Sequence, residues 1–280
     1  MRLRLYHHRD GARVAYRETG AGPPLVLLHS LGLSHREFEP LVEALSARFR
    51  LILPDLPLHG DSEDRPRHAY SPEWLTEVIT GFVIDVGGSH AMLGGHQLGA
   101  ELALRAAIAG ALAPTKLVLM SSRLHRGGEF TCAGVHAWRP AYRLAALPGL
   151  DRLLSHGVKL LFRPSLGERL SAQRNPAARD LIRHAFADIG GNGNRARSWS
   201  KFARRWPAHA QSELLEAYPR LNCPVLLLWA ESDHSHPLST AREALDLLPD
   251  AQLRTLPGVG FLIAYDDPVG VARELISFCG

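Results

Sequence analysis

The chain is poor in sulfur and has no long apolar run. Its three cysteines, Cys132, Cys223 and Cys279, are odd in number, far apart and without Cys-x-x-Cys spacing. That argues against a disulfide framework or a cysteine-bound zinc site, and suits a reducing cytoplasm as the expected location. No uninterrupted apolar stretch reaches the roughly 18 residues that cross a bilayer. The opening "MRLRLYHHRDGARVAY" is basic, with no apolar signal core, so neither a membrane span nor export is expected. Internal repeats and low-complexity tracts are also missing, which leaves out solenoids and disordered tails. What is present suits one large α/β domain with an insertion: 280 residues, 46% hydrophobic and 21% charged.

The net charge of +4 is unevenly spread. Residues 123–220 hold 17 Lys and Arg against 7 Asp and Glu, while the remainder holds 15 against 21. A basic middle segment attracts anions in general. Without interleaved aromatics or a nucleic-acid motif, it reads as the solvated face of a helical insertion, and nucleic acid is not an expected partner.

Apolar runs of strand length alternate with helical periodicity. "ARVAYRE" (12–18) alternates like an antiparallel edge strand. "PLVLLH" (24–29), "RLILPD" (50–55), "HAMLGG", "TKLVLMSS" and "CPVLLLWAESD" are continuous apolar runs, as strands buried on both faces require. "AQLRTLP" is a shorter final strand. Between them, "HREFEPLVEALSARF" carries Phe38, Leu41, Val42 and Leu45 at helical spacing, and Pro72 opens a second helix behind the capping Ser71. The alternation predicts an α/β fold with a mostly parallel sheet covered by helices. From Arg123 to about Tyr218 no buried strand is legible, only helical pieces broken by prolines. The expected division is therefore a core in two parts, 1–122 and 219–280, with a helical lid, 123–218, over the strand ends.

One turn carries the functional question. Gly95-His96-Gln97-Leu98-Gly99 follows a strand and opens a helix. Together with "HSLG" (29–32), "DLPLHGDS" (55–62), "WAESDHSHP" (229–237) and "PGVGFLIAYDDP" (257–268), it resembles the ordered motifs of the α/β-hydrolase family along nearly the whole chain. By that resemblance the turn is the nucleophile elbow, Gly-x-Ser-x-Gly, with Gln97 in place of serine. Asp233 then stands at the acid and Phe261 where the catalytic histidine belongs, with Leu58 and Ser30 departing from glycine in the other two loops.

Acyl transfer on such a site needs a hydroxyl to attack and an imidazole to take its proton. Gln97 supplies neither nucleophile nor base, and Phe261 cannot accept a proton. A Ser-His-Asp hydrolase mechanism is excluded on chemistry, and losses of groups that act as a unit do not add. The remaining expectation is a non-hydrolytic, cofactor-independent enzyme of the cyclase, isomerase, lyase or decarboxylase kind, acting on a small apolar or aromatic molecule. The fold is shared by hydroxynitrile lyases and cofactor-independent dioxygenases. The alternative is a pseudo-hydrolase that binds a small molecule without turnover, and weak esterase activity through other residues comes last.

The expected site residues follow. Gln97 and Asp233 are the catalytic candidates. Asp233 is buried without its histidine and so expected at a raised pKa as a general base or acid, or else paired with a lid arginine such as Arg123. The main-chain N–H groups of Leu31 and Leu98 form the expected oxyanion hole; alternatively Gln97 simply fills it. The expected substrate-binding set is His29, Ser30, His96, Ser122, Arg123, Trp138, Trp199, Phe261 and Leu262, each of which has ordinary packing as its other explanation. His234 and His236 flank Asp233 and could present an imidazole or a metal ligand, but no partner cluster supports a metal.

Overall fold

The continuous apolar runs become the inner strands of one eight-stranded sheet in the order β1-β2-β4-β3-β5-β6-β7-β8. The computed structural model describes residues 1–127, 169–186, 193–207 and 210–280. The strands are β1 (Arg2–His7), β2 (Arg13–Thr19), β3 (Pro24–Leu28), β4 (Arg50–Pro54), β5 (Met92–His96), β6 (Leu117–Met120), β7 (Val225–Ala230) and β8 (Ala251–Leu256). From β4 through β8 all neighbours are parallel, whereas β1 and β2 are antiparallel additions. β5 and β7 are buried at every position, so each face is covered by helices.

Two local expectations are corrected. The strand around Ala12 is antiparallel, as read, but lies second from the margin: residues 2–7 pair outside it and take the edge. In β1 arginines alternate with leucines that stay half exposed, so the segment shows no buried face to read. The helix expected over "HREFEPLVEALSARF" splits into a 3₁₀ stretch, His35–Leu41, and a short α1, Val42–Ser46. Pro40 has no N–H for a continuous ladder, which breaks the helical run there. By contrast α2 (Pro72–Phe82) starts as expected, with Ser71 Oγ accepting the Trp74 N–H at 3.3 Å.

Helices α2 and α3 (Leu98–Ile108) pack on one face of the sheet with much of the larger apolar cluster. On the other face α1 and the final helix cover Leu25, Leu27, Leu226 and Leu228.

The described part of the basic segment is helical: α4 (Ala177–Phe186), α5 (Gly193–Arg205) and α6 (Ser212–Ala217). After β7 come α7 (Leu238–Leu247), α8 (Ile263–Asp266) and α9 (Pro268–Cys279). Three of the five cations of α5 bond the core loop beneath. Arg195 bonds Asp64 at 3.1 Å and the Gly60 carbonyl at 3.2 Å. Lys201 donates to Pro66 O and Arg205 to Ala69 O, while Ser198 Oγ donates to Asp64 O. α4 instead packs Ala178, Leu181 and Ile182 on Leu33, Leu262 and Tyr265. No helix among the described residues is long and apolar enough to cross a membrane.

Candidate functional site

The strand-to-helix turn has the geometry its two glycines imply. A Cβ on Gly95 would lie 2.2 Å from Gly99 C, and one on Gly99 2.0 Å from Leu28 O. No side chain fits either position, so strand and helix approach at backbone contact. That approach forces Gln97 to φ 52°, ψ −111°, a region costing roughly 1–3 kcal/mol for a residue with a Cβ. The glutamine side chain repays part of that strain locally. Its Oε1 accepts the Leu31 N–H at 2.7 Å.

This bond revises the expected oxyanion hole. Leu31 does aim its N–H at the elbow, but the acceptor is the elbow's own carboxamide. Because an N–H can bond only the oxygen side of an amide, Gln97 is oriented: Oε1 toward Leu31, Nε2 turned away. Nε2 makes no hydrogen bond among the described residues. Leu98 is buried at the first turn of α3, at the positive end of the helix.

Behind the elbow is a buried polar cluster that local patterning did not reveal. Glu37, on the 3₁₀ stretch, accepts the Ser30 N–H at 2.6 Å, the Ser30 hydroxyl at 2.9 Å and His96 Nδ1 at 2.6 Å. Burial alone would raise the Glu37 carboxyl, but the charge and hydrogen bond of His96, with the Ser30 N–H, bring it below the ordinary value. His29 is also committed: Nδ1–H donates to Ser30 O and Nε2 accepts the Leu56 N–H, both at 2.8 Å. Burial pushes the His29 imidazole below its ordinary value. Ser30, His29 and His96, expected to bind substrate, are bonded to one another's segments through Glu37, Ser30 O and the Leu56 N–H, which ties the 29–32 loop to the elbow. The bonded atoms of Ser30 and His29 satisfy groups that would be costly to bury unpaired, while His96 is bonded through Nδ1 alone and its buried Nε2 has no hydrogen-bond partner among the described residues.

Asp233 is the second correction. Burial would raise its carboxyl, as expected, but the His236 hydrogen bond and charge outweigh that, aided by the Ser235 N–H, and the net direction is down. The partner is neither residue 261 nor a lid arginine. His236, three residues on, brings Nδ1 to Asp233 Oδ2 at 2.6 Å, and Ser235 N–H reaches Oδ1 at 2.9 Å. Both side chains are buried. Trp229 Nε1 donates to the His236 carbonyl at 2.9 Å and fixes the loop. The signal in the sequence was the Asp-His spacing in "WAESDHSHP".

Phe261 sits between two imidazoles, 4.9 Å from the His96 ring and stacked 5.8 Å from the His236 ring. Leu262 is buried in the small cluster under α4, and its N–H donates to Leu170 O. Ser122 is fully buried and accepts the Leu124 N–H at 3.2 Å, so it shapes the turn after β6. Arg123 begins that 3₁₀ turn and is half-buried. Trp199 on α5 meets the His59 ring edge-on at 4.8 Å, and His59 meets His29 at 5.0 Å, an aromatic column from lid to oxyanion loop. Trp138 lies outside the described residues.

Among the described residues no group of three or more His, Cys, Asp or Glu side chains is placed to hold a metal ion. A groove of about 920 Å³ opens elsewhere, between β1, α2, α3 and α6, and none of the elbow residues lines it.

The sheet order, the glycine-tight elbow and the acid loop after β7 are those of one family. A sequence model of the alpha/beta hydrolase family matches residues 25–274, and the chain belongs to that family. It is 30% identical over 254 residues to the magnesium-chelatase 30 kDa subunit of Rhodobacter capsulatus, covering 86% of this chain and 81% of that protein. It is 26% identical over 267 residues to the 2-(acetamidomethylene)succinate hydrolase of Mesorhizobium japonicum, covering 94% and 90%. In structure it is similar to a thermophilic esterase from Thermogutta terrifontis, with TM-score 0.76 and 20% identity over 100% of this chain and 98% of that one.

Proposed function

We propose that this chain is a non-hydrolytic member of its family, acting on a small apolar or aromatic molecule held between the elbow and the lid. One observation carries the reading: the carboxamide of Gln97 occupies the place of both the nucleophile and the oxyanion, with Oε1 on the Leu31 N–H at 2.7 Å. An acyl-enzyme has no atom to form on, and a tetrahedral oxyanion would have to displace a bonded amide. The buried thiols Cys223 and Cys279 fit the reducing, intracellular setting expected of such a protein.

The enzyme reading is favoured over silent binding by the pairing of Asp233 with His236, which keeps an oriented imidazole after the family's position has become Phe261. Silent binding is favoured by the closed Leu31–Gln97 bond. The test is incubation with a metabolite extract, followed by mass spectrometry of free and bound species. A compound replaced by one of equal mass, or lighter by water or carbon dioxide, supports the enzyme. Enrichment of an unchanged compound supports the binder. A product heavier by one water overturns both.

A further inference from the structure

We propose that the groove between β1, α2, α3 and α6 is a binding site for an elongated apolar diamine, a hydrocarbon chain with an ammonium group at each end. None of the elbow residues lines it, so the site is separate from the one described above.

The walls of the groove are fixed. On one side Tyr6 of β1 meets Phe82 of α2 edge-on at 5.6 Å, and its hydroxyl lies 3.2 Å from His8 Nδ1. That approach depends on Gly81, where a Cβ would lie 2.7 Å from Tyr6 Oη. On the other side Gln211, just before α6, donates from Nε2 to Glu101 Oε1 of α3 at 3.0 Å and from its N–H to His125 O at 2.6 Å. A groove of about 920 Å³ with such walls is largely pre-formed, and a ligand loses little in ordering it.

Its lining is apolar in the middle and unbalanced in charge. Ile84, Ile108, Leu214 and Ala217 supply the apolar part, and Ile84 is left 38% exposed. Two arginines on the wall are committed. Arg105 Nε donates to the buried Glu101 at 3.1 Å, and Arg9 pairs with Glu77. Glu73, Asp85 and Glu213 line the groove without an ion-pair partner among the described residues, against Arg220. The last turn of α3 also reaches it through Ile108 and the capping Ala109, and brings the negative end of the helix dipole. In a chain of net charge +4, this local excess of carboxylate runs against the whole. A dication is therefore drawn to the groove and not to the surface at large.

The placing of the carboxylates sets the shape of the ligand. Glu73 and Asp85 stand toward opposite ends of the α2 wall, roughly 18 Å apart at the helical rise per residue. A ten-carbon diamine bridges most of that span, and the two acidic side chains reach over the rest. Thr80 lies between them in the chain. It is 9% exposed, lines the groove, and its hydroxyl has no hydrogen-bond partner among the described residues. Thr76, one turn earlier, donates its hydroxyl back to Pro72 O at 2.7 Å. The Thr80 hydroxyl is thus an unused acceptor beside the carboxylates, the kind of group an ammonium N–H satisfies.

The experiment is calorimetric titration of the full chain at low salt with 1,10-diaminodecane, 1,10-decanediol and decanedioate, three probes of one chain length and different charge. The diamine should bind about tenfold more tightly than the diol, the gain from two ammonium–carboxylate contacts at partly exposed positions. Decanedioate should not bind. Salt at about 0.5 M should bring the diamine to the level of the diol. Glu73→Gln combined with Asp85→Asn should do the same at low salt. Ile84→Lys, which places an ammonium of the protein's own in the groove, should abolish diamine binding. All three residues are exposed, so these variants keep the fold. No binding of the diamine at millimolar concentration overturns the proposal. So does equal binding of diamine and diol, tighter binding of decanedioate, or unchanged diamine binding in Ile84→Lys.

Discussion

Gln97 Oε1 and the Leu31 N–H, 66 positions apart in the chain, are joined by a 2.7 Å hydrogen bond at the strand-to-helix turn. The bond closes the elbow on itself. It also explains why a bulky polar residue is tolerated at a strained position: the turn loses on backbone conformation and recovers a buried N–H partner.

Replacing Gln97 by serine alone should therefore leave ester hydrolysis at background. The hydroxyl gains no base, since Phe261 cannot accept its proton and Asp233 is engaged by His236. Adding Phe261→His should yield a nitrophenol burst, and adding His236→Asn should not abolish it. Stopped-flow release of nitrophenol measures all three. A burst from Gln97→Ser alone would mean that an imidazole already reaches the elbow.

Glu37 holds three buried donors from two segments. Glu37→Ala should destabilise the protein by about 3–5 kcal/mol, the usual cost of breaking a buried charged cluster. Urea unfolding followed by circular dichroism measures it. A loss below about 1 kcal/mol would place the cluster among ordinary surface pairs.

Gly99→Ala should fail to give a native fold, or cost more than about 4 kcal/mol. The added methyl meets the Leu28 carbonyl at 2.0 Å, backbone against backbone, with no flexible side chain to yield. Thermal unfolding of the purified variant is the readout, and a midpoint near wild type would contradict the packing.

Acid sensitivity should begin near the ordinary histidine range. Burial pushes His59 down to about 3, with the neighbouring His29 adding to the effect. The unfolded chain binds a proton at that position first. Its contribution is complete above the unfolded pKa of about 6.5 and is lost as pH falls toward the folded value. At about pH 5.5 it should remove roughly 1.4 kcal/mol. The carboxylates act lower: Asp55, buried but bonded and charge-paired with His35, is held at about 2, so its contribution fades only below about pH 4. Denaturant unfolding across pH reads the slope, and His59→Gln should flatten its upper part. A wild-type curve flat from neutral to about pH 5 would show that His59 is not buried neutral.

Most of the sheet was legible because buried parallel strands must be apolar on both faces, and the runs at Leu25–Leu28 and Val225–Ala230 are. The strand at Leu3 and Leu5 was not, because an edge strand with half-exposed leucines and alternating arginines has no face that burial marks. The break at Pro40 was visible, yet the flanking apolar spacing outweighed it.

The sequence by itself determines which chemistry each side chain can bring. Glutamine at 97 brings no nucleophilic hydroxyl and phenylalanine at 261 no basic nitrogen, a property of the two side chains themselves. The glycines at 95 and 99 likewise announce a close strand–helix approach, a requirement written in residue type. Only the tertiary structure decides which atom each polar group faces. Asp233 changes from an expected raised carboxyl to a depressed one because His236 turns toward it, and His96 becomes a scaffold because Glu37, 59 positions away, is buried beneath it. Hydrogen-bond partners are set by distance and direction in space, and segments far apart in the chain supply them.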